Sequence, residues 1–402
     1  MLEWQISNQD IEEAEKLLLP HGAHFPEDAR NVIRCWHSTD VAACPGSGKT
    51  TVLLAKLKLL ADRMPLENGA GICVLSHTNV AVDEIKKRLS NYADRLLGYP
   101  NYIGTIQSFV DKFVTMPYLR NVSEQSVQVV DSLTYAQHML NMIQHNMKYR
   151  ALDYVTKNNF ETGGQFSERI KHTQALYIRD DGALCVGSQK KPLASAGKTS
   201  TEQYKKLLSE LLKDEGIIRY QDAYTYANAA IRELTTEYTN FFSSRFQYVF
   251  IDEYQDCDDT QRQAIDSLFD SAKCAVFKIG DSDQAIYNSF EDATMDWVPR
   301  PDFLPIMTSC RFNKEIADVV CKLKKDGKSI VTLAEKTSVK PVLLVFSVEK
   351  IERVVGGFVS ALERHGLNDN NGIYKVIGAV KKEELSGLKI GSYWPEFDGT
   401  AK

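Results

Sequence analysis

Apolar positions along the chain fall into two patterns: short runs bounded by polar turns, which predict buried strands, and apolar residues at helical spacing, which predict amphipathic helices. Gly71-Ile-Cys-Val-Leu-Ser76 reads as a strand, and Thr78–Leu89 follows as a helix with Val80, Val82, Ile85 and Leu89 available to pack. His37–Ala43 and Thr51–Arg63 form a second strand-to-helix unit, and Tyr102–Phe113 compresses the same plan into a short strand, a polar turn and a helix. Phe246-Gln-Tyr-Val-Phe-Ile251 and Cys274-Ala-Val-Phe-Lys-Ile279 are further strands. Strands alternating with helices predict an α/β fold with a mostly parallel sheet covered on both faces.

From about Tyr118 to Tyr238 the texture changes to long helix-compatible stretches such as Asp131–Tyr154 and Thr201–Leu212, with no clear run of buried strands. This segment reads as a largely helical insertion, with Gly182–Ser200 as a loop and Ile217–Leu234 as a helix leading back to the sheet. From Pro305 a further α/β segment is expected, with strands at Ile306–Ser309 and Pro341–Phe346 and helices at Asn313–Lys324 and Lys350–His365.

At 402 residues the chain exceeds one ordinary core, and two or three domains are expected. Apolar content of 43% and charge of 25% belong to a globular protein, and the net charge of −5 supplies no global attraction for nucleic acid, so any such contact must be local. Eight cysteines with no CxxC pair argue against a zinc or iron–sulfur site and predict reduced thiols. The first residues have neither a basic nor an apolar leader region, and no apolar run approaches the ~18 residues of a membrane span, so a cytoplasmic protein with no membrane partner is expected.

Cys44-Pro-Gly-Ser-Gly-Lys-Thr-Thr51 lies between a strand and a helix. Small, φ-permissive residues followed by Lys and Thr build a cradle for a nucleoside triphosphate. Gly46 and Gly48 let backbone N–H groups turn toward the phosphates, and the following helix aims its positive end at them. Lys49 then reaches the β- and γ-phosphates and Thr50 ligates Mg²⁺. Ala43 stands where the strict pattern has Gly. Asp252-Glu-Tyr-Gln-Asp256 closes the strand Phe246–Ile251 at the sheet end where α/β proteins place their ligands. Asp252 suits Mg²⁺ and Glu253 suits orienting and deprotonating the attacking water.

Taken in order, these segments resemble the superfamily 1A DNA helicases, the UvrD/Rep/PcrA-like group. Ala43–Thr50 looks like motif I, Ser76–Ala81 like motif Ia, Gly104–Phe109 like motif Ib, Asp252–Asp256 like motif II, Gly280–Tyr287 like motif III and Thr308–Phe312 like motif IV. The resemblance runs from about residue 25 to about residue 320. It implies a P-loop NTPase with a RecA-like motor domain 1A at 1–117 and 239–303, a mainly helical insertion 1B at 118–238, and a partial second RecA-like domain 2A at 304–402. It further implies ATP and Mg²⁺ as cofactors, single-stranded DNA as partner, and hydrolysis coupled to 3′–5′ movement.

Carried over residue by residue, the resemblance makes Ala43, Cys44, Pro45, Gly46, Ser47, Gly48, Lys49, Thr50 and Thr51 the ATP-binding segment, with Thr50 and Asp252 on the metal. Glu253, Gln284 and Arg311 become catalytic, Gln284 sensing the γ-phosphate and Arg311 acting as an arginine finger. Tyr287 and Phe290 would stack bases, a contact of about 1–3 kcal/mol each, while Thr78, Asn79, Thr105 and Ser108 would meet phosphate oxygens. Taken alone, any of these four short side chains suits a helix cap better than a phosphate contact.

The departures are as specific as the matches. Asp28 falls where the family has an adenine-reading Gln, Cys310 where it has a stacking Tyr, His77 where it has an aromatic, and Glu291-Asp-Ala293 where it has Arg-Gly-Ala. No counterpart of motifs V and VI is visible, so the chain reads as C-terminally short. The compact insertion and the lack of a recognisable 2B subdomain also resemble the short helicase subunits of anti-phage systems such as Gabija, which work beside an OLD-family endonuclease. That implies an alternative: a nucleotide-gated DNA-binding or regulatory subunit with a nuclease partner protein and no unwinding of its own. A P-loop kinase of small molecules is disfavoured, because its lid and acceptor site have no counterpart.

Overall fold

The computed structural model describes residues 5–123, 127–160, 166–179, 181–186, 192–285, 297–324, 329–333, 339–368, 373–375 and 390–394. At its centre is a six-stranded sheet: β1 (Thr39–Ala43), β2 (Gly71–Ser76), β3 (Tyr102–Thr105), β4 (Phe246–Ile251), β5 (Ala275–Gly280) and β6 (Leu304–Ile306). The spatial order is β6-β1-β5-β4-β2-β3 and every neighbouring pair is parallel. Central strand β4 shows why its sequence is apolar at every position but Gln247. Tyr248 and Phe250 join Trp36, Leu53 and Phe277 in the core on one face, while Phe246, Val249 and Ile251 join Phe109, Phe242 and Leu268 on the other. A strand buried on both faces has no polar side to show.

The helices framing the first core include α1 (Asn8–Leu18), α2 (Glu27–Arg34) and α3 (Lys49–Asp62). Helix α3 is buried all round from Val52 to Ala61, including Lys56. The Lys56 ammonium donates to Val32 O at 3.0 Å and to Cys35 O, closing the open carbonyls at the end of α2, and lies 3.9 Å from the Trp36 ring centroid. Burial pushes this amine down to about 7.

The segment between β3 and β4 packs its helices Ser132–His145, Arg150–Phe160 and Lys198–Glu210 around a core of its own that includes Tyr135, Met139, Leu152, Tyr204 and Leu207. Three expectations shift here. The helix expected over Asp131–Tyr154 breaks at Asn146, whose side chain accepts from Lys148 N–H at 3.2 Å and starts a new turn. The expected loop Gly182–Ser200 contains a strand, Leu184–Val186, paired antiparallel with Leu176–Ile178, because Leu184 and Cys185 are drawn into the core. Ile217–Ile218, expected to be helical, pairs with Val129–Val130, and the helix starts at Tyr220.

The chain divides into two units, Met1–Thr308 and Ser309–Lys402. The strand expected over Ile306–Ser309 is interrupted at Met307, whose N–H is taken by the Asp28 carboxylate. Within the second unit the helices Lys314–Cys321 and Val354–Arg364 match the apolar spacing. The strand expected at Pro341–Phe346 does not form: the segment is irregular, and Val342, Leu343 and Val345 are exposed. Among the described residues no neighbouring strand pairs with it, and β propensity without a partner makes no ladder. None of the eight cysteines is joined in a disulfide, and six of them are buried. Among the described residues no helix is long and apolar enough to cross a membrane.

Candidate nucleotide site and adjoining strand ends

The register aligns Ala42 of β1 with Gly280 of β5, and Ile251 of β4 with Lys278 of β5. The turns that leave β1, β5 and β4 therefore lie side by side at the carboxyl edge. After β1, Cys44 N–H donates to Ile306 O at 2.9 Å and Ser47 N–H to Cys44 O at 3.2 Å, folding Cys44–Gly48 into a compact loop. Gly46 and Gly48 have φ of +76° and +83°, a left-handed conformation costly for any side chain, and α3 starts at Lys49.

Lys49 is the charge centre of the site. Its Nζ lies 2.8 Å from Glu253 Oε2, and its charge bears on Asp252, Glu253 and Asp281 together. Burial alone would push the Glu253 carboxyl up, but Lys49, by charge and hydrogen bond, together with Gln255 holds it below the ordinary glutamate range. Asp252, 3% exposed, is pushed up to about 6 by burial and then by the Glu253 charge. Asp281 is likewise raised by burial, with Lys49 opposing. Glu253 takes φ of +52°, so β4 ends in a sharp turn that presents two successive carboxylates in different directions.

A hydrogen-bonded chain continues from Glu253. Gln255 Nε2 donates to Glu253 Oε2 at 2.8 Å, Gln255 Oε1 accepts Asp281 N–H at 3.0 Å, and Gln284 Nε2 donates to Asp281 Oδ2 at 2.6 Å. Sequence reasoning gave Gln255 and Asp281 no role, although both lie inside the motifs it singled out. It also missed Arg88, whose Nη1 donates to Thr51 Oγ1 at 3.2 Å while Nη2 donates to Leu18 O at 2.6 Å. The Thr51 hydroxyl thus has a partner within the protein.

The residues present fit a magnesium-bound triphosphate. The Ser47 hydroxyl, 4% exposed, has no hydrogen-bond partner among the described residues, a donor left over inside a loop already shaped for phosphate. Thr50 lies in the first turn of α3 and Asp252 directly follows β4, which gives a hydroxyl and a carboxylate of the oxygen type a hard divalent ion prefers.

The other expected residues separate into groups. Ser76 and Thr105 are register partners, so Thr78 and Asn79 after β2 and Thr105 and Ser108 after β3 share one edge of the sheet. Thr78, Asn79 and Ser108 are exposed. Thr105 caps the helix Ile106–Val110, accepting Ser108 N–H at 3.1 Å and donating to Ser108 Oγ at 2.8 Å. The Asp28 carboxylate is fully engaged by backbone: Oδ1 accepts Ala29 N–H at 2.8 Å, and Oδ2 accepts Met307 and Thr308 N–H, both at 2.9 Å. Arg311 lies in the second unit, exposed, with its N–H 3.4 Å from Ser309 Oγ. Tyr287 and Phe290 lie outside the described residues.

Residues 27–298, more than half of the chain, match the family of the UvrD/REP helicase N-terminal domain. The chain belongs to the UvrD/REP helicase family. Similar proteins include a probable DNA helicase II homolog of Rickettsia conorii, 23% identical over 65% of this chain and 38% of that protein. Gabija protein GajB of Bacillus cereus is 23% identical over 77% of this chain and 53% of that protein, and ATP-dependent DNA helicase PcrA of Staphylococcus epidermidis is 23% identical over 61% and 31%. The chain thus spans about a third to a half of the length of these relatives.

Proposed function

We propose that the chain binds ATP in the Cys44–Thr51 loop and hydrolyses it, coupled to 3′–5′ movement on single-stranded DNA. The observation that carries the hydrolysis is the 2.8 Å pair between Lys49 and Glu253, which joins the phosphate loop to the acidic strand end, while the coupling to DNA and its direction rest on the family. Lys49 is already beside the carboxylates whose charge a triphosphate would replace. When the phosphates recruit Lys49, Glu253 loses its cation, its carboxyl rises toward the range of a working general base, and it accepts a proton from water aimed at the γ-phosphorus. Mg²⁺, held by Thr50 and Asp252, would supply neutralisation of the phosphate charge. Gln284, fastened to Asp281, would report the state of the γ-phosphate, and Arg311 would lend positive charge. Thr78, Asn79, Thr105 and Ser108 would follow the strand's phosphates along the β2–β3 edge, with stacking from Tyr287 and Phe290.

The test is hydrolysis of ATP with and without single-stranded DNA, together with unwinding of a tailed duplex. A second reading, a nucleotide-gated subunit beside a nuclease, is favoured by the similarity to Gabija protein GajB, which extends over 77% of this chain. It predicts nucleotide-dependent association with a nuclease and no unwinding, so unwinding by the isolated chain rules it out.

A further inference from the structure

Glu253 Oε2 is held by two donors, Lys49 Nζ and Gln255 Nε2, each at 2.8 Å. Once a triphosphate recruits Lys49, Gln255 is the donor that remains. The other end of the same amide accepts Asp281 N–H at 3.0 Å, and Asp281 organises the turn after β5: Oδ1 accepts Asp283 N–H at 3.1 Å and Oδ2 accepts Gln284 Nε2 at 2.6 Å. The amide has one orientation. Its neighbours are a carboxylate on one side and an N–H on the other, and a flip would set like against like.

Gln255 is 2% exposed and has no room to swing. A Cβ at Gly280 would lie 2.6 Å from Gln255 Oε1 and 2.6 Å from Trp297 Cζ3, so β5 must end in glycine for the amide to pass between. A buried side chain confined on both sides and bonded at both ends transmits displacement instead of absorbing it.

We propose that Gln255 is the positioning residue through which occupancy of the phosphate site is communicated to the Asp281–Gln284 turn, setting how strongly bound single-stranded DNA stimulates hydrolysis. The inference rests on the ATPase reading above. Gln255 touches neither phosphate nor DNA in this account; it acts through Glu253 at one end and Asp281 at the other.

The test compares ATP hydrolysis by the unsubstituted chain and by Gln255→Met, which keeps the length of the side chain and removes both hydrogen bonds. Rates are read with and without an oligo-dT strand, with the KM for ATP and a thermal melt alongside. The ratio of stimulated to basal rate falls by about tenfold, the scale of one charge-assisted hydrogen bond, and the KM stays within about twofold. Gly280→Ala, which crowds the amide without deleting it, is the second variant if Gln255→Met melts early, and it lowers the ratio in the same direction. A ratio that stays at the parent value, even with both rates reduced, overturns the relay while leaving the ATPase reading intact. Hydrolysis by the parent that DNA does not stimulate overturns both.

Discussion

Replacing Glu253 with Gln separates ATP binding from ATP hydrolysis in opposite directions. Lys49 is paired with Glu253 at 2.8 Å, so a triphosphate must break this pair to gain the lysine. The side chains are 11% and 35% exposed, which places the pair between two limits. Fully exposed pairs contribute about 0.2–1 kcal/mol, and hydrogen bonds to charged groups about 1.5–3 kcal/mol. The bare Coulomb attraction at this separation is roughly 6 kcal/mol at an effective dielectric constant of 20, most of it cancelled by desolvation. A net value of about 1.5 kcal/mol follows, and since Gln still accepts a neutral hydrogen bond from Lys49, most but not all of it is released. Glu253→Gln therefore binds ATP about five- to tenfold more tightly, at 1.4 kcal/mol per decade, while hydrolysis falls by at least about 100-fold through loss of the base. Titration of a fluorescent ATP analogue, repeated at low and high salt, reads the affinity, and the gain should shrink as salt screens the parent ion pair. Unchanged or weaker binding by Glu253→Gln would refute the competition between glutamate and phosphate for Lys49.

Other perturbations follow from local geometry. Gly48→Ala meets no atom closer than Thr51 Cβ at 3.9 Å, but at φ of +83° it carries a backbone strain of about 1–2 kcal/mol, so both melting temperature and ATP affinity should fall. Asp111 is 8% exposed and its carboxyl is pushed up to about 6 by burial, against a hydrogen bond from Gln107. The folded state thus holds this proton more tightly than the unfolded chain, and stability from this group is lost as pH rises from about 4 through about 6; Asp111→Asn should remove that slope and raise stability at pH 8 by about 2 kcal/mol, read by denaturation across pH. Thr105→Ala should cost about 1 kcal/mol of stability through loss of the cap on Ser108 N–H. Exposed Thr78→Ala, in contrast, should leave the melt unchanged and weaken binding of single-stranded DNA in an anisotropy titration.

Much of the first unit was legible because its strands are buried on both faces and its loops carry chemistry-specific residues. Phe246–Ile251 could only be a central strand, and the loop glycines could only be read as positive-φ positions once Lys49 and Thr50 followed them. The insertion was harder: Leu184–Val186 is too short for periodicity to register and becomes a strand only because a partner three-residue strand lies beside it. Pro341–Phe346 failed for the converse reason, its composition favouring a strand where no described neighbour completes one. At the site, individual roles were readable but connections were not. Nothing in the spacing between Glu253 and Asp281 announces that one amide spans them, since that depends on the register in which β4 pairs with β5 and on where each strand ends. Asp28 shows the same limit, its carboxylate satisfied by Met307 and Thr308, almost the whole length of the first unit away in sequence.

The central claim, that this is an ATP-driven DNA motor core, is tested most directly by ATP hydrolysis of the 402-residue chain with and without single-stranded DNA, beside Lys49→Ala and Glu253→Gln. The account predicts hydrolysis that DNA stimulates and that both substitutions abolish. Retention of nucleotide binding with no hydrolysis in either condition would contradict it and leave the gated-subunit reading in its place.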